Sequence, residues 1–182
     1  MDRKKIAIFT GNRAEYGLLN PLIRELSSRA SFEVYLIISG SHLLEDFGKT
    51  VCEIDTSMVK SIRKIPLSVT DANKKVELLL LFSDVIREGT TVLANLNPQF
   101  LILAGDRYET FAMAVTAYYL NIPIVHLFGG DLSQGGHLDD SVRHSITKIA
   151  HLHFTTNVDS YTRVLHLGEE KWRVFNVGST VM

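Results

Sequence analysis

Four short stretches of this 182-residue chain gather the side chains that could do chemistry: "TGNRAEYG" (10–17), "AGDRYET" (104–110), "VHLFGGD" (125–131) and "DDSVRHSITKIAHLH" (139–153). In the first, Gly11 lets the backbone turn tightly and approach a ligand. The free N–H groups that open the following helix suit a phosphate, and Arg13 could add a bidentate contact to it. The same residues also fit an ordinary strand-to-helix turn with a solvated arginine. The stretch lacks the third glycine of a dinucleotide fingerprint and the Lys-Ser/Thr pair of a P-loop.

The other three stretches carry proton-transfer groups. Asp106 and Arg107 are adjacent charges at the end of an apolar run. Asp106 could instead N-cap the next helix, with Glu109 completing a capping-box-like pair, and one residue could fill both roles. His126 has a side chain that titrates near neutrality and could donate a proton; a hydrogen-bonded structural histidine is the alternative. Gly129 and Gly130 point to a close backbone approach. On the last stretch, helical spacing puts Asp140, His144 and Lys148 on one face and Arg143, Thr147 and His151 on the next. Val142, Ile146, Ile149 and Ala150 form its packed side. A solvated charged face is the plain alternative. His144, His151 and His153 lack the i, i+4 spacing of a helical zinc site, and no cysteine joins them, so no metal and no cofactor is expected.

These stretches must be positioned by the elements between them. Apolar runs at 5–10, 32–39, 100–105 and 123–128 read as strands, with 5–10 of the kind buried on both faces and 100–105 the most typical buried strand. A run at 59–67 alternates like an edge strand, and short strands are expected at 153–157 and 173–177. Helical spacing marks 14–29, 71–96 (with Asp71 as N-cap), 108–120, 140–152 and 160–168. Strands alternating with helices predict an α/β fold: a doubly wound, mainly parallel, Rossmann-like sheet. Ligands in such sheets sit at the carboxyl ends of the strands, which is where all four stretches fall. Together they predict one cleft for a phosphorylated ligand.

Composition bounds the rest. With 46% hydrophobic residues the chain suits one globular domain. A net charge of −1 gives no electrostatic case for nucleic acid or an anionic membrane as partner. The single cysteine, Cys52, reads as a small apolar residue and fits a reducing compartment. The N-terminus fails as a signal peptide and no apolar stretch could span a bilayer, so a cytoplasmic location is expected. The last strand, "VFNVGSTVM", has no closing helix; a fragment of something longer is one reading and an unexplained natural terminus the other.

At "GNRAEYG", "GDRYE" and "DDSVRHSITKIAHLHF" the sequence resembles the hydrolysing UDP-N-acetylglucosamine 2-epimerases of sialic- and legionaminic-acid-type sugar biosynthesis. The likeness runs along the whole chain. It implies that residues 1–182 are the N-terminal domain of a two-domain, glycosyltransferase-B-like enzyme, with the C-terminal domain missing and UDP-sugar bound in the cleft between the two. It also implies a homo-oligomer, and a fragment that is inactive by itself. The implied reaction eliminates UDP across C1–C2 of the sugar to give a 2-acetamidoglucal. Water then adds to release the free 2-epimer, N-acetylmannosamine in the commonest case. A non-hydrolysing 2-epimerase and a non-catalytic binding domain are the rival readings.

By motif, Arg13 and Gly11 would contact UDP, with Arg107, Arg143 and His144 as further substrate contacts. Asp106, His126, Asp131 and either Asp139 or Asp140 would be the catalytic groups. Three departures bear on the substrate. Phe128 stands where many members have an acidic residue, Asp131 where Glu is common, and the loop before "DDSVRH" is a residue or two longer. A phenylalanine beside the sugar suits a less polar one, namely the 6-deoxy sugar of UDP-N,N'-diacetylbacillosamine.

Overall fold

A computed structural model describes residues 3–43, 54–68, 75–133 and 138–180. The expected N-cap Asp71, Cys52, loop residues 134–137 and the last two residues lie outside that range. Seven strands form one sheet: β1 (Lys4–Thr10), β2 (Phe32–Ile38), β3 (Ser61–Lys64), β4 (Phe100–Ala104), β5 (Ile124–Leu127), β6 (Leu152–Thr155) and β7 (Val174–Asn176). Their order is β3-β2-β1-β4-β5-β6-β7, and every neighbouring pair is parallel. Among the described residues five α-helices join them: α1 (Arg13–Ser28), α2 (Lys75–Leu96), α3 (Tyr108–Tyr119), α4 (Leu138–Ile149) and α5 (Val158–His166). The sheet is therefore wholly parallel, and β3 takes the edge that its alternating sequence suggested.

The pleat sends alternate residues to two cores. Ala7 and Phe9 of β1, Tyr35 and Ile37 of β2, and Leu101 and Leu103 of β4 meet α2, α3 and α4. Ile6, Ile8, Leu36, Ile38 and Ile102 meet Tyr16, Leu19 and Ile23 of α1 on the opposite face. Because both faces of β1 and β2 are covered, nearly every residue from Ile6 to Thr10 and from Val34 to Ile38 is buried. Each buried Leu, Ile or Phe contributes about 1.5–3 kcal/mol, so the sheet holds its strand ends rigidly.

The order reverses at β1 and β4. From β1 the chain steps one way to β2 and β3; from β4 it steps the other way to β5, β6 and β7. Right-handed crossovers then put α1 on one face and α2, α3 and α4 on the other. The loops after β1 and β4 diverge there, leaving the crevice in which such folds bind ligands.

Candidate functional site

A cavity of about 470 Å³ opens at that switch point. Asn12 and Glu15 from the start of α1 line it, with Gly105, Asp106 and Arg107 after β4. Phe128 and Asp131 after β5, Arg143 of α4 and Thr156 after β6 complete the wall. All four sequence stretches thus supply residues to one site.

Local chemistry fixes the start of α1. Asn12 is its N-cap, and the Asn12 side chain accepts from Glu15 N at 3.0 Å. Glu15 reaches back to accept from Gly11 N at 2.7 Å. This reciprocal arrangement satisfies two amide groups that the helix leaves unbonded. Gly11 has no room for a side chain: a Cβ would lie 2.5 Å from Glu109 Cγ. Arg13 is exposed, between the cavity residues Asn12 and Ala14.

Arg143 organises the centre. It is buried, and its guanidinium pairs with Asp106 Oδ2. It also donates to Asp140 Oδ1 at 2.9 Å and to the Asp131 carbonyl at 2.5 Å. One planar fork therefore ties the end of β4, the turn after β5 and the first turn of α4. Asp131 is held from the other side, where Thr156 and Ser160 donate to its Oδ1 at 2.7 and 2.5 Å. Arg163 donates to the Gly130 carbonyl. Gly130 has φ +81°, and a Cβ there would strike the Ser160 backbone. Phe128, with φ 66°, is a bulky residue in a conformation that such residues seldom adopt.

Asp106 does not cap α3. The N-cap is Arg107, which makes no side-chain capping bond. Glu109 instead accepts from Arg107 Nε at 2.7 Å and is fully buried. Glu15, also buried, accepts from Thr110 Oγ1. Burial and the neighbouring Glu109 carboxylate raise the Glu15 pKa from 4.5 to about 7.

Several expected site residues lie elsewhere. His126 is fully buried and is not part of the cavity wall. Its ring nitrogens face Thr147 Oγ1 at 3.2 Å and the Gly105 carbonyl at 2.9 Å. Burial pulls its pKa down to about 4, which leaves it neutral and does not suit the expected proton donor. His144 sits in a separate groove between α3 and α4 with Tyr118, Tyr119 and Lys148. Arg143 and His144 are consecutive on a helix and project about 100° apart, so the face that delivers one to the cavity turns the other away. Asp139 is exposed, and Asp140 lies behind the wall, holding Arg143 and accepting from Ser133 N at 2.9 Å.

Two further histidines, His151 and His153, are held by protein groups. His151 Nδ1 accepts from Ile124 N at 3.1 Å. His153 lies against the buried Glu169, which also binds Lys148 and Arg173. Among the described residues no group of His, Cys, Asp or Glu is placed to hold a metal ion. Nor is any described helix long and apolar enough to cross a membrane.

Residues 24–182 match the family described as UDP-N-acetylglucosamine 2-epimerase. The chain belongs to that family. It is 38% identical over 179 residues to the GDP/UDP-N,N'-diacetylbacillosamine 2-epimerase (hydrolyzing) of Campylobacter jejuni, covering 98% of this chain and 46% of the relative. It is 34% identical to the UDP-N,N'-diacetylbacillosamine 2-epimerase (hydrolyzing) of Legionella pneumophila, covering 97% and 46%. The chain thus spans about half the length of these relatives. Among solved structures, the UDP-N-acetylglucosamine 2-epimerase from Neisseria meningitidis bound to UDP-GlcNAc superposes with a TM-score of 0.79 at 23% identity, over 97% of this chain and 46% of that one. That likeness carries the fold.

Within this family member, sequence reasoning missed Glu15, Thr156, Ser160 and Arg163. "NRAE" at 12–15 was readable as a capping box. Nothing local marked the Glu15–Glu109 proximity, because the starts of α1 and α3 meet only where β1 and β4 end side by side. Ser160 and Arg163 lie one turn apart in α5, a spacing that says nothing of the glycine turn they grip.

Proposed function

We propose that this chain is the N-terminal half of a hydrolysing 2-epimerase acting on a UDP-2-acetamido sugar, with UDP-N,N'-diacetylbacillosamine as substrate. The observation that carries the reading is the cavity at the switch point, where Asp106, fixed by Arg143, stands opposite the amino end of α1. The amino end of α1 at Arg13 and Ala14, beyond the amides that the Asn12–Glu15 cap engages, receives the diphosphate together with the Arg13 side chain, since a helix N-terminus favours an anion. Asp106 takes the C2 proton. The C–H electron pair forms the C1=C2 bond as the C1–O bond breaks and UDP leaves. Water then adds its oxygen at C1 while a proton reaches C2 from the opposite face, releasing the free 2-epimer.

Two observations support the diacetylbacillosamine substrate. The relatives at 38% and 34% identity carry that name, whereas the UDP-N-acetylglucosamine 2-epimerase of Neisseria meningitidis is 30% identical. Phe128 also puts an apolar ring on the cavity wall, compatible with a 6-deoxy sugar.

The test is UDP release by the full-length enzyme from the two nucleotide sugars. UDP and a free 2-epimer should form faster from UDP-N,N'-diacetylbacillosamine, and Asp106→Asn should lower kcat by about 10²–10⁴-fold. A product still bound to UDP would replace this reading with the non-hydrolysing reaction. Preference for UDP-N-acetylglucosamine would overturn the substrate. Residues 1–182 alone should be inactive and bind UDP weakly; full turnover by them would show that the second half is dispensable.

A further inference from the structure

We propose that His126 is a positioning residue, whose ring holds the Gly105 carbonyl and thereby sets the turn that presents Asp106 to the cavity. The inference rests on the epimerase reading for its catalytic consequence, but its geometry is independent of it.

The β4–β5 register pairs Leu103 with His126 and Ala104 with Leu127. Gly105 N still donates to the Leu127 carbonyl at 3.3 Å, but there the ladder ends. Gly105 has φ +76°, and its backbone leaves the extended conformation. A Cβ at Gly105 would meet nothing within 4 Å, so the left-handed turn calls for glycine on conformational grounds, not for lack of space. The turn frees the Gly105 carbonyl from strand pairing, and His126 Nε2 lies 2.9 Å away from it. Asp106 is the next residue.

The tautomer follows from the partners. A carbonyl can only accept, so Nε2 carries the proton and donates to Gly105. Nδ1 is then an acceptor and takes the Thr147 hydroxyl proton at 3.2 Å. Thr147 stands one turn beyond Arg143 on α4 and also lies 3.0 Å from the Arg143 carbonyl. Its hydroxyl proton serves one of the two at a time. Gly129 allows this packing: a Cβ there would lie 3.1 Å from Thr147 Oγ1 and 3.2 Å from His126 Nδ1. Both ring nitrogens thus face groups of the protein, and the ring, fully buried, is not part of the cavity wall that would meet substrate. Burial also depresses its basicity, consistent with a permanently neutral donor. The ring braces the backbone beside Asp106 while Arg143 holds its carboxylate.

The test uses the full-length enzyme, UDP release and three variants. Glutamine places an N–H near the Nε2 position; asparagine reaches only as far as Nδ1. His126→Gln should keep kcat within about threefold of wild type with an unchanged pH profile. His126→Asn and His126→Ala should lose on the order of 10²-fold in kcat, the scale of a misplaced catalytic group, with KM little changed. Equal losses in Gln, Asn and Ala, with a limb of the pH–rate profile removed, would make His126 an acid–base group and overturn the proposal. So would wild-type kcat in His126→Ala. If the alanine variant does not fold, Thr147→Val should lower kcat while Thr147→Ser restores it; equal activity in both would count against the proposal. Long-range ¹H–¹⁵N NMR of the ring reads the tautomer directly. A neutral Nε2–H ring down to pH 5 is expected, and a ring protonated at pH 6.5 would overturn the inference. That measurement stands even if the wild-type enzyme releases no UDP, an outcome that would remove the epimerase reading alone.

Discussion

Glu15→Gln should stabilise this protein at alkaline pH although it removes a buried carboxylate from a hydrogen-bonded site. Glu15 is nearly inaccessible, and the fully buried Glu109 is a second carboxylate facing the same region. Arg107 is the cation between them, donating to Glu109 Oε1. Burial first, and the Glu109 charge second, raise the Glu15 pKa from 4.5 to about 7. The folded state therefore binds the proton more tightly than the unfolded chain. Stability from this group is complete below pH 4.5 and is lost as the pH rises through about 7. The gap is worth about 3 kcal/mol at pH well above both values. Glutamine keeps an oxygen to accept from Gly11 N and cannot ionise. The Thr110 hydroxyl, which donates to Glu15 Oε1, can rotate to accept from the new amide. The expected result is a gain of about 1–3 kcal/mol at pH 8 that shrinks to less than about 1 kcal/mol at pH 5. Urea unfolding followed by circular dichroism at the two pH values measures it. A variant less stable than wild type at pH 8, or a difference that does not change with pH, would refute the reasoning.

Three further outcomes follow from the same geometry. Arg143→Met should cost about 3 kcal/mol, the low end for breaking a buried pair, because Asp106 and Asp140 keep some solvent; less than about 1 kcal/mol in urea titration would contradict the role of Arg143. Burial holds His126 and His153 at pKa values of about 4 against 6.5, so their contribution is full above pH 6.5 and is lost as the pH falls toward 4. His126→Gln should remove about 2 kcal/mol of that loss at pH 5, checked by unfolding at pH 5 and 7. Gly11→Ala should destabilise by about 1–3 kcal/mol, and adding Glu109→Ala should recover part of it in a double-mutant cycle; strict additivity would show that the Glu109 side chain is not the obstacle.

Much of this fold is legible in the sequence. Among the described residues every expected strand and helix is present, with ends shifted by a few residues, because each buried strand is a short apolar run and each helix carries an apolar stripe. The site was less legible. Gly11, Asp106 and Asp131 follow strands, and the chain announces that position. His126 and His144 also stand in the right stretches, but their roles depend on side-chain direction. Asp106 shows the same limit: its sequence neighbour Glu109 suggested a cap, and its spatial neighbour Arg143 claims it instead.

The sequence by itself determined the alternation of elements, the parallel sheet and the strand ends at which chemistry gathers, because periodicity and turn residues act over a few positions. Only the tertiary structure decided which charges meet. Arg143 lies 37 residues beyond Asp106, and Glu15 lies 94 before Glu109. Electrostatics and hydrogen bonding act over a few ångströms of space, and distances of that kind exist only once the sheet has brought α1, α3 and α4 to one crevice.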